Sequence, residues 1–152
     1  MSKSKEFVIR RLAKEDYDLW YPLWRAYQEF YRADIPEQVS KITWHRLLDP
    51  QEVMFGAVAM CEERAVGIAH WLLHRSCWTI EDYCYLQDLF VERDQRTRGI
   101  GRGLIEHVES FARQAKCARV YWLTHETNTN AMMLYNRVAQ RSGFIQYCKY
   151  FK

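Results

Sequence analysis

A glycine-rich segment near residue 100 is the part of the chain whose residue spacing most directly suggests chemistry. It reads Arg96-Thr97-Arg98-Gly99-Ile100-Gly101-Arg102-Gly103 and stands between a predicted strand and a predicted helix. Glycines let the backbone turn sharply and approach a ligand closely, and the first N–H groups of a helix have no partner inside that helix. Together with the three arginines, these N–H groups predict a site for an anionic group such as a pyrophosphate.

The glycine spacing excludes two common phosphate-binding motifs. A P-loop ends in Gly-Lys-Ser/Thr, and the dinucleotide fingerprint places GxGxxG in the first strand and helix of a βαβ unit. Here the spacing is GxGxG, and it follows a long stretch of predicted antiparallel sheet. Taken by itself, such a loop is equally compatible with a plain tight turn.

The first half of the chain supplies the predicted elements that must support this loop. Residues 7–12 are predicted as a strand, and residues 36–48 as a helix. Between them, aromatic residues recur at the helical spacing of three and four, and Pro22 is expected to open or kink that helix. The aromatic residues are Tyr17, Trp20, Trp24, Tyr27, Phe30 and Tyr31.

The second half alternates strands and helices. Residues 52–61 and 65–73 are predicted as a hairpin, and residues 83–91 as the next strand. After the glycine loop come a helix, a strand at residues 119–124, a helix that ends near Gly143, and a last strand at residues 144–151. This order predicts an α/β fold.

Four separate patterns along the chain together resemble one family. They are Tyr85-Leu86-Gln87-Asp88-Leu89-Phe90-Val91, then Arg96-x-x-Gly99-x-Gly101, then Asn128-x-x-Ala131-x-x-Leu134-Tyr135, and then Gly143-Phe144. In order and in predicted element they are similar to the GCN5-related N-acetyltransferase (GNAT) superfamily, and most of all to its yeast-type histone, polyamine and D-amino-acid acetyltransferases. The resemblance covers residues 52–151.

The resemblance implies the GNAT fold and acetyl-coenzyme A (acetyl-CoA) as co-substrate. The expected sheet is mixed, mostly antiparallel, with about six to seven strands and four flanking helices, and it splays between two parallel strands at residues 83–91 and 119–124. The pantetheine arm is expected to pair with the first of these like an added strand. The implied cofactor-binding residues are Leu89, Phe90, Val91, Arg96, Arg98, Gly99, Ile100, Gly101, Arg102, Gly103, Asn128 and Tyr135.

The implied reaction is direct attack of an amine on the thioester in a ternary complex. A backbone N–H near Phe90 or Val91 is the expected donor to the oxyanion, and Tyr135 matches the acid of the family. The alternative for Tyr135 is packing, because it lies on the apolar face of its helix. Seven residues separate Tyr135 from Gly143 where the family has three, so this helix is expected to be about one turn longer.

The base is left open by the sequence. Polyamine-acetylating relatives often carry Glu at the position of Gln87, and an amide cannot accept the proton. Deprotonation through water to Asp88, Glu81 or Asp82 remains possible, as does an amine that arrives neutral. For Glu81 and Asp82, a solvated turn is the alternative.

The aromatic helix lies where the family forms its acceptor pocket. Aromatic faces suit ammonium groups and alkyl stems, although most residues of such a stripe are expected in the core. Trp24 and Tyr27 are the candidates for the pocket, and Asp88 and the Glu81-Asp82 pair would add a preference for cations. The complete predicted set of substrate-binding residues is Trp24, Tyr27, Glu81, Asp82, Gln87 and Asp88. The acceptor could be a polyamine, an amino acid, an antibiotic or a protein lysine.

The composition of the chain limits the number of domains, the partners and the kinds of site that it can have. With 152 residues, 49% of them hydrophobic, the chain is expected to form a single domain behind a loose tail at residues 1–5. The net charge of +3 is spread along the chain, which argues against nucleic acid as partner. The sequence has no long apolar run and no signal-peptide core, so a cytoplasmic protein is expected. Cysteine and histidine spacings predict no metal site.

Two other classes of function compete with the enzyme. One is a non-catalytic module that binds acyl-CoA or a partner on the same fold. The other is an RNA-binding protein with exposed aromatics, which the modest charge and the absence of an RNP-like motif disfavour. Whether or not the protein is an enzyme, the apolar residues 144–148 predict a homodimer formed through the last strands.

Overall fold

The computed structural model describes residues 6–151, which contain five strands and four α-helices; the predicted tail at residues 1–5 lies outside this range. The strands and helices are β1 Val8–Arg11, α1 Tyr17–Phe30, α2 Glu37–Leu48, β2 Met54–Cys61, β3 Arg64–His74, β4 Tyr83–Val91, α3 Ile100–Gln114, β5 Arg119–Tyr121 and α4 Thr129–Val138. None of the helices in this range is long and apolar enough to cross a membrane.

The strands form one mixed sheet in the order β1-β2-β3-β4-β5. Neighbours are antiparallel except for β4 and β5, which are parallel. The β4–β5 pairing begins at Tyr83 with Arg119 and reaches only to Tyr85 with Tyr121. Beyond Tyr85, β4 continues to Val91 without β5 beside it, so the two strands splay apart. The predicted α/β fold with a sheet splayed between two parallel strands is therefore confirmed.

Two apolar cores cover the two faces of the sheet. On one face, α1 and α2 bury a cluster of tryptophans and leucines against Val58, Ile68 and Phe90. On the other face, α3 packs its Leu104 and Val108 against strand residues that include Trp71. Side chains of alternate strand residues point to opposite faces, which is how β2, β3 and β4 serve both cores. Burial of each such large side chain contributes about 1.5–3 kcal/mol to stability.

The aromatic stripe of α1 runs from the core to the surface. Trp20 and Trp24 are buried, Tyr27 is half-buried, and Tyr31 is exposed. The helix begins at Tyr17, ahead of Pro22, and continues past it to Phe30. Of the two roles predicted for Pro22, opening the helix is therefore wrong, and kinking it stays a prediction. Aromatic packing against the sheet holds the helix together on both sides of the missing N–H group.

The C-terminal segment differs from the prediction. The helix α4 ends at Val138, where the N–H of Ala139 bonds to the carbonyl of Tyr135, and it gains no extra turn toward Gly143. Residues 139–151 form neither helix nor strand and are exposed, so the sheet has five strands and not the expected six to seven. The physical reason is that Gln140 to Gly143 bring no apolar face to bury, and Gly143 turns the chain at φ +88.

Candidate active site

The gap between β4 and β5 exposes backbone groups of β4. The N–H of Glu92, just after the strand, donates to the carbonyl of Val66 in β3. Because the backbone groups of successive strand residues point to opposite sides, Phe90 also faces β3, whereas Leu89 and Val91 face the gap. The backbone of Phe90 is thus directed away from the predicted cofactor, and its ring is 8% exposed in the core. Of the two predicted oxyanion donors, this geometry favours Val91.

A β-bulge places Gln87 at the start of this gap. The register of β3 and β4 pairs His70 with Asp88 and Trp71 with Leu86, which leaves Gln87 as the extra residue. Its side chain is exposed and lines a narrow cavity in the gap. The residues that line this cavity are Tyr27, Tyr31, Leu86, Gln87, Leu89, Trp122, Leu123 and Tyr135.

The glycine loop forms one end of the gap. Gly99 caps α3 in the left-handed region, at φ +85, and no side chain bonds to the helix start. The first hydrogen bond of the helix runs from the N–H of Gly103 to the carbonyl of Gly99. The N–H groups of residues 100–102 therefore have no partner within the helix and are available to a ligand. The first turn contains no acidic residue. A Cβ on Gly101 would lie 3.5 Å from Leu134 of α4 and 3.9 Å from Val91 of β4, so the loop adjoins both sides of the gap.

The three arginines of the loop have different surroundings. The Arg96 Nε–H donates to the Val91 carbonyl at 2.9 Å, and its guanidinium lies over the rings of Phe30 and Phe90. Arg98 bonds to the Gln95 amide oxygen, and exposed Arg102 pairs with Glu106 at 3.1 Å. Arg96 therefore holds the loop against β4 and α1, while its predicted contact with the cofactor stays a prediction.

Tyr135 stands on α4, across the gap from β4. Its ring contacts that of Trp122 edge-on, with centroids 5.4 Å apart. Burial raises the pKa of the Tyr135 hydroxyl to about 12, and the nearby Tyr31 makes a smaller contribution to the same shift. The phenol is therefore protonated at neutral pH. Within residues 6–151, Tyr135 makes no side-chain hydrogen bond, so its O–H is available to a ligand.

Asp88 faces α1 from the middle of β4. The Tyr27 hydroxyl donates to Asp88 Oδ1 at 2.8 Å, and His70 Nδ1 lies 2.9 Å from Asp88 Oδ2. Burial raises the pKa of Tyr27, and the carboxylate charge raises it further, so this phenol is a donor at all physiological pH values. Tyr27 thus connects the aromatic helix to the carboxylate beside the gap.

Comparison with known proteins decides the family. Residues 18–139 match the sequence profile described as the acetyltransferase (GNAT) family. The chain belongs to the GNAT family. It is 36% identical over 142 residues to the D-amino-acid N-acetyltransferase HPA3 of Saccharomyces cerevisiae, covering 92% of this chain and 88% of that protein. It is 26% identical over 87 residues to the thialysine N-epsilon-acetyltransferase of Caenorhabditis elegans, covering 57% of this chain and 54% of that protein.

Solved structures support the same fold for this GNAT protein. Aminoglycoside N-acetyltransferase AAC(6')-Iy in complex with CoA superimposes with a TM-score of 0.85 at 16% identity, covering 99% of this chain and 98% of that chain. The GNAT assignment and the named relative make the protein an acetyltransferase that transfers an acyl group from acetyl-CoA to an amine. The resemblance inferred from the sequence patterns is thereby confirmed.

The geometry of the GNAT site fits acetyl-CoA. The unpaired N–H groups at the start of α3, with arginines beside them and no acid in the first turn, suit a pyrophosphate. The outward-facing backbone of Leu89 and Val91 suits an extended amide-bearing arm. Asn128, the residue before α4, donates its side-chain amide to Thr124 and its backbone N–H to His125, accepts the N–H of Met132 in α4, and lies on the α4 side of the gap.

Three predicted substrate-binding residues of this GNAT chain lie away from the gap. The Trp24 side chain is 5% exposed, stacks between Trp20 and Tyr27, and donates its indole N–H to Ser40, so it belongs to the core. Glu81 and Asp82 precede β4 at its other end, and Asp82 stands six positions before Asp88, a distance of roughly 20 Å along an extended strand. The carboxylate of Asp82 contacts Arg75.

Among the residues of the site that sequence reasoning missed, three are polar or aromatic. His70 bonds to Asp88 from β3, and Tyr31 and Trp122 line the gap. The signal for His70 was present, because it is a polar residue in the middle of the apolar strand Arg64–His74. A buried polar residue needs a partner, and Asp88 is that partner.

Proposed function

We propose that the protein transfers the acetyl group of acetyl-CoA to a primary amine by direct attack in a ternary complex. The observation that carries the proposal is a pair of side chains that line the gap: Tyr135 of α4, whose hydroxyl is protonated, and Tyr27 of α1, whose hydroxyl donates to the Asp88 carboxylate. An acid on one side and an anionic group on the other suit an amine that must lose a proton while a thiol gains one.

Acetyl-CoA supplies the thioester whose acetyl group is transferred. Its pyrophosphate would be held by the N–H groups of Ile100, Gly101 and Arg102, flanked by Arg98, and its pantetheine arm by the backbone of Leu89, since the Val91 carbonyl accepts from Arg96. Asn128 would contact it from the α4 side. The Val91 N–H, which faces the gap, is placed to donate to the thioester oxygen.

Tyr135 acts as the acid in this proposal. A thiol has an ordinary pKa of roughly 8.5, so its sulfur needs only a hydrogen-bond donor as the bond to carbon breaks. The buried phenol keeps its proton at neutral pH and has no competing partner among the described residues.

Asp88 attracts the amine and receives its proton through water. Gln87, exposed at the bulge, can hydrogen-bond to the amine but cannot accept the proton. The residues that line the gap include no lysine or arginine, so a cationic amine meets no like charge there. The relatives are named for D-amino acids and thialysine, and both classes belong in the substrate panel.

The test is release of free thiol from acetyl-CoA with purified protein and a panel of amines. The panel contains D-amino acids, thialysine, lysine, polyamines, aminoglycosides and a lysine peptide. We expect turnover on one class, reduced about a hundredfold in kcat by Tyr135→Phe, with acetyl-CoA affinity unchanged. Tyr21→Phe, on the surface of α1, is the matched control. Tight acetyl-CoA binding without turnover on any amine would instead support the non-catalytic module.

We also propose a homodimer in which each chain adds its C-terminal segment to the sheet of the other. Residues 139–151 are exposed, and Phe144, Ile145 and Tyr147 are 82%, 76% and 88% exposed. The strand β5 is the last of the sheet order, so its outer edge has no partner in the described chain. A free strand edge and a free apolar segment are complementary, because each satisfies the backbone groups of the other.

The dimer is tested by light scattering after size exclusion. Ile145→Asp with Tyr147→Asp places two charges on one side of the segment, and we expect a monomer, whereas the wild type and a Lys41→Glu control elute as dimers. A wild-type monomer, or a dimer unaffected by the two charges, would contradict the proposal.

A further inference from the structure

A buried chain of hydrogen bonds extends from the core to Asp88. Its centre is His70 of β3, which is 2% exposed. The indole Nε1–H of Trp20 lies 2.9 Å from His70 Nε2, and His70 Nδ1 lies 2.9 Å from Asp88 Oδ2. The second carboxylate oxygen, Oδ1, accepts the Tyr27 hydroxyl at 2.8 Å. Four side chains from α1, β3 and β4 thus form one continuous network.

The partners of His70 determine where its proton lies. An indole N–H can only donate, so His70 Nε2 must accept from Trp20 and cannot itself carry a hydrogen. A neutral imidazole then carries its proton on Nδ1, which donates to Asp88 Oδ2. Trp20 therefore selects the tautomer of His70, and that tautomer supplies the donor that Asp88 needs.

We propose that His70 is a positioning residue, whose Nδ1–H orients the Asp88 carboxylate toward the acceptor amine. This inference rests on the proposed amine acetyltransferase function of the gap. Held by His70 at Oδ2, the carboxylate presents Oδ1 to Tyr27 and, through its remaining lone pairs, to the amine. Without the Nδ1–H, the carboxylate loses one of its two protein donors and can rotate away from Tyr27. The effect acts on the amine and leaves acetyl-CoA binding unchanged.

Two substitutions at one position separate this role from packing. The side-chain amide of Asn reaches the place of Nδ1, and the amide of Gln reaches the place of Nε2. His70→Asn keeps the donor to Asp88 and loses the acceptor for Trp20, whereas His70→Gln keeps the acceptor and loses the donor. Because each variant loses one buried bond, thermal unfolding serves to show that both are folded and comparably destabilised.

The expected result is a split between the variants in amine kinetics. His70→Gln lowers kcat/KM for the amine about tenfold to a hundredfold, the effect of a lost bond to a charged group. His70→Asn stays within about threefold of the wild type, and the KM for acetyl-CoA changes in neither. Equal losses in both variants, or no loss in His70→Gln, would overturn the proposal.

A second measurement needs neither turnover nor a variant. The ring ¹⁵N resonances of His70 in the wild-type protein report its tautomer directly. The Nδ1–H form is expected, and the Nε2–H form or a doubly protonated ring would overturn the inference even if neither variant folds. If no amine is turned over, the proposed function fails, while the tautomer still decides whether His70 donates to Asp88.

Discussion

The phenol oxygen of Tyr27 lies 2.8 Å from Oδ1 of Asp88, although the two residues are 61 positions apart. This bond joins the aromatic helix α1 to the strand that borders the cofactor gap. Tyr27 and Tyr31 of the aromatic stripe line the gap, while Trp20 and Trp24 of the same stripe lie in the core. A single helix therefore contributes both to the core and to the proposed acceptor side of the site.

Loss of that bond is expected to weaken amine recognition. Tyr27→Phe keeps the ring but removes the donor to Asp88, so we expect the amine KM to rise about tenfold, the effect of one hydrogen bond to a charged group. Initial-rate kinetics with the amine varied will measure it. Tyr17→Phe, on the same helix with its ring stacked on that of Tyr21, is the control. An unchanged amine KM in Tyr27→Phe would show that the bond is only structural.

The raised pKa of Tyr135 predicts the alkaline behaviour of catalysis. An acid is active while it holds its proton, so a pKa raised to about 12 extends the active form upward. We expect kcat to show no loss from this group between pH 8 and about 11, where an ordinary tyrosine with a pKa of about 10 would already ionise. The check is kcat against pH at saturating substrates. A decline centred near pH 10 that disappears in Tyr135→Phe would contradict the assignment.

Acid stability is expected to depend on Asp16. Its carboxylate accepts two bonds from Arg10, at 2.6 and 2.9 Å, and one from the Ala13 N–H. The bonds from Arg10 lower the pKa of Asp16. A lowered folded-state pKa means that the stabilisation is complete above the unfolded value of about 4 and is lost as pH falls through the folded value.

Asp16→Asn is the corresponding test. It should lower the free energy of unfolding by about 1–3 kcal/mol at pH 7, and the difference from the wild type should shrink at about pH 2. Urea unfolding at both pH values measures this, with Asp18→Asn as the exposed control. A difference that stays constant with pH would exclude the ion pair as its source.

Gly99 and Gly143 offer a matched pair for the cofactor loop. Both have φ near +85, and a Cβ at either position would meet no atom within 4 Å. Alanine in this region costs about 1–2 kcal/mol, so Gly99→Ala should distort the loop and weaken acetyl-CoA binding roughly tenfold. Gly143→Ala, in the C-terminal segment, should leave that affinity unchanged. Isothermal titration will compare them, and equal losses would mean that the loop is not the binding site.

The core position of Trp24 predicts a loss of stability without a loss of recognition. Trp24→Phe removes the donor to Ser40 and part of a buried ring, which should lower the free energy of unfolding by about 1–3 kcal/mol. The amine KM should remain within about twofold of the wild type once folding is confirmed. A selective rise in amine KM would indicate that Trp24 contributes to the acceptor pocket and would contradict its assignment to the core.

Short sequence patterns were sufficient to predict the features that depend only on neighbouring residues of the chain. The strand Tyr83–Val91 was predicted with its observed bounds, because its composition favours a strand and charged residues follow it. The glycine spacing before α3 indicated the loop, since a left-handed residue and an uncapped helix start need glycine there. The combination of four such patterns was sufficient to indicate the GNAT family.

Only the tertiary structure decided what depends on distant neighbours. Periodicity places Trp24 and Tyr27 on one face of α1 but does not show where along that face the core ends. The same limit applies to residues 144–151, whose strand-like pattern finds no partner within its own sheet. Asp88 acquires His70 and Tyr27 only when β3 and α1 meet at β4. Residue types along the chain therefore determined the family and the proposed cofactor loop, whereas burial and long-range hydrogen bonds, which exist only after folding, determined the proposed acceptor side.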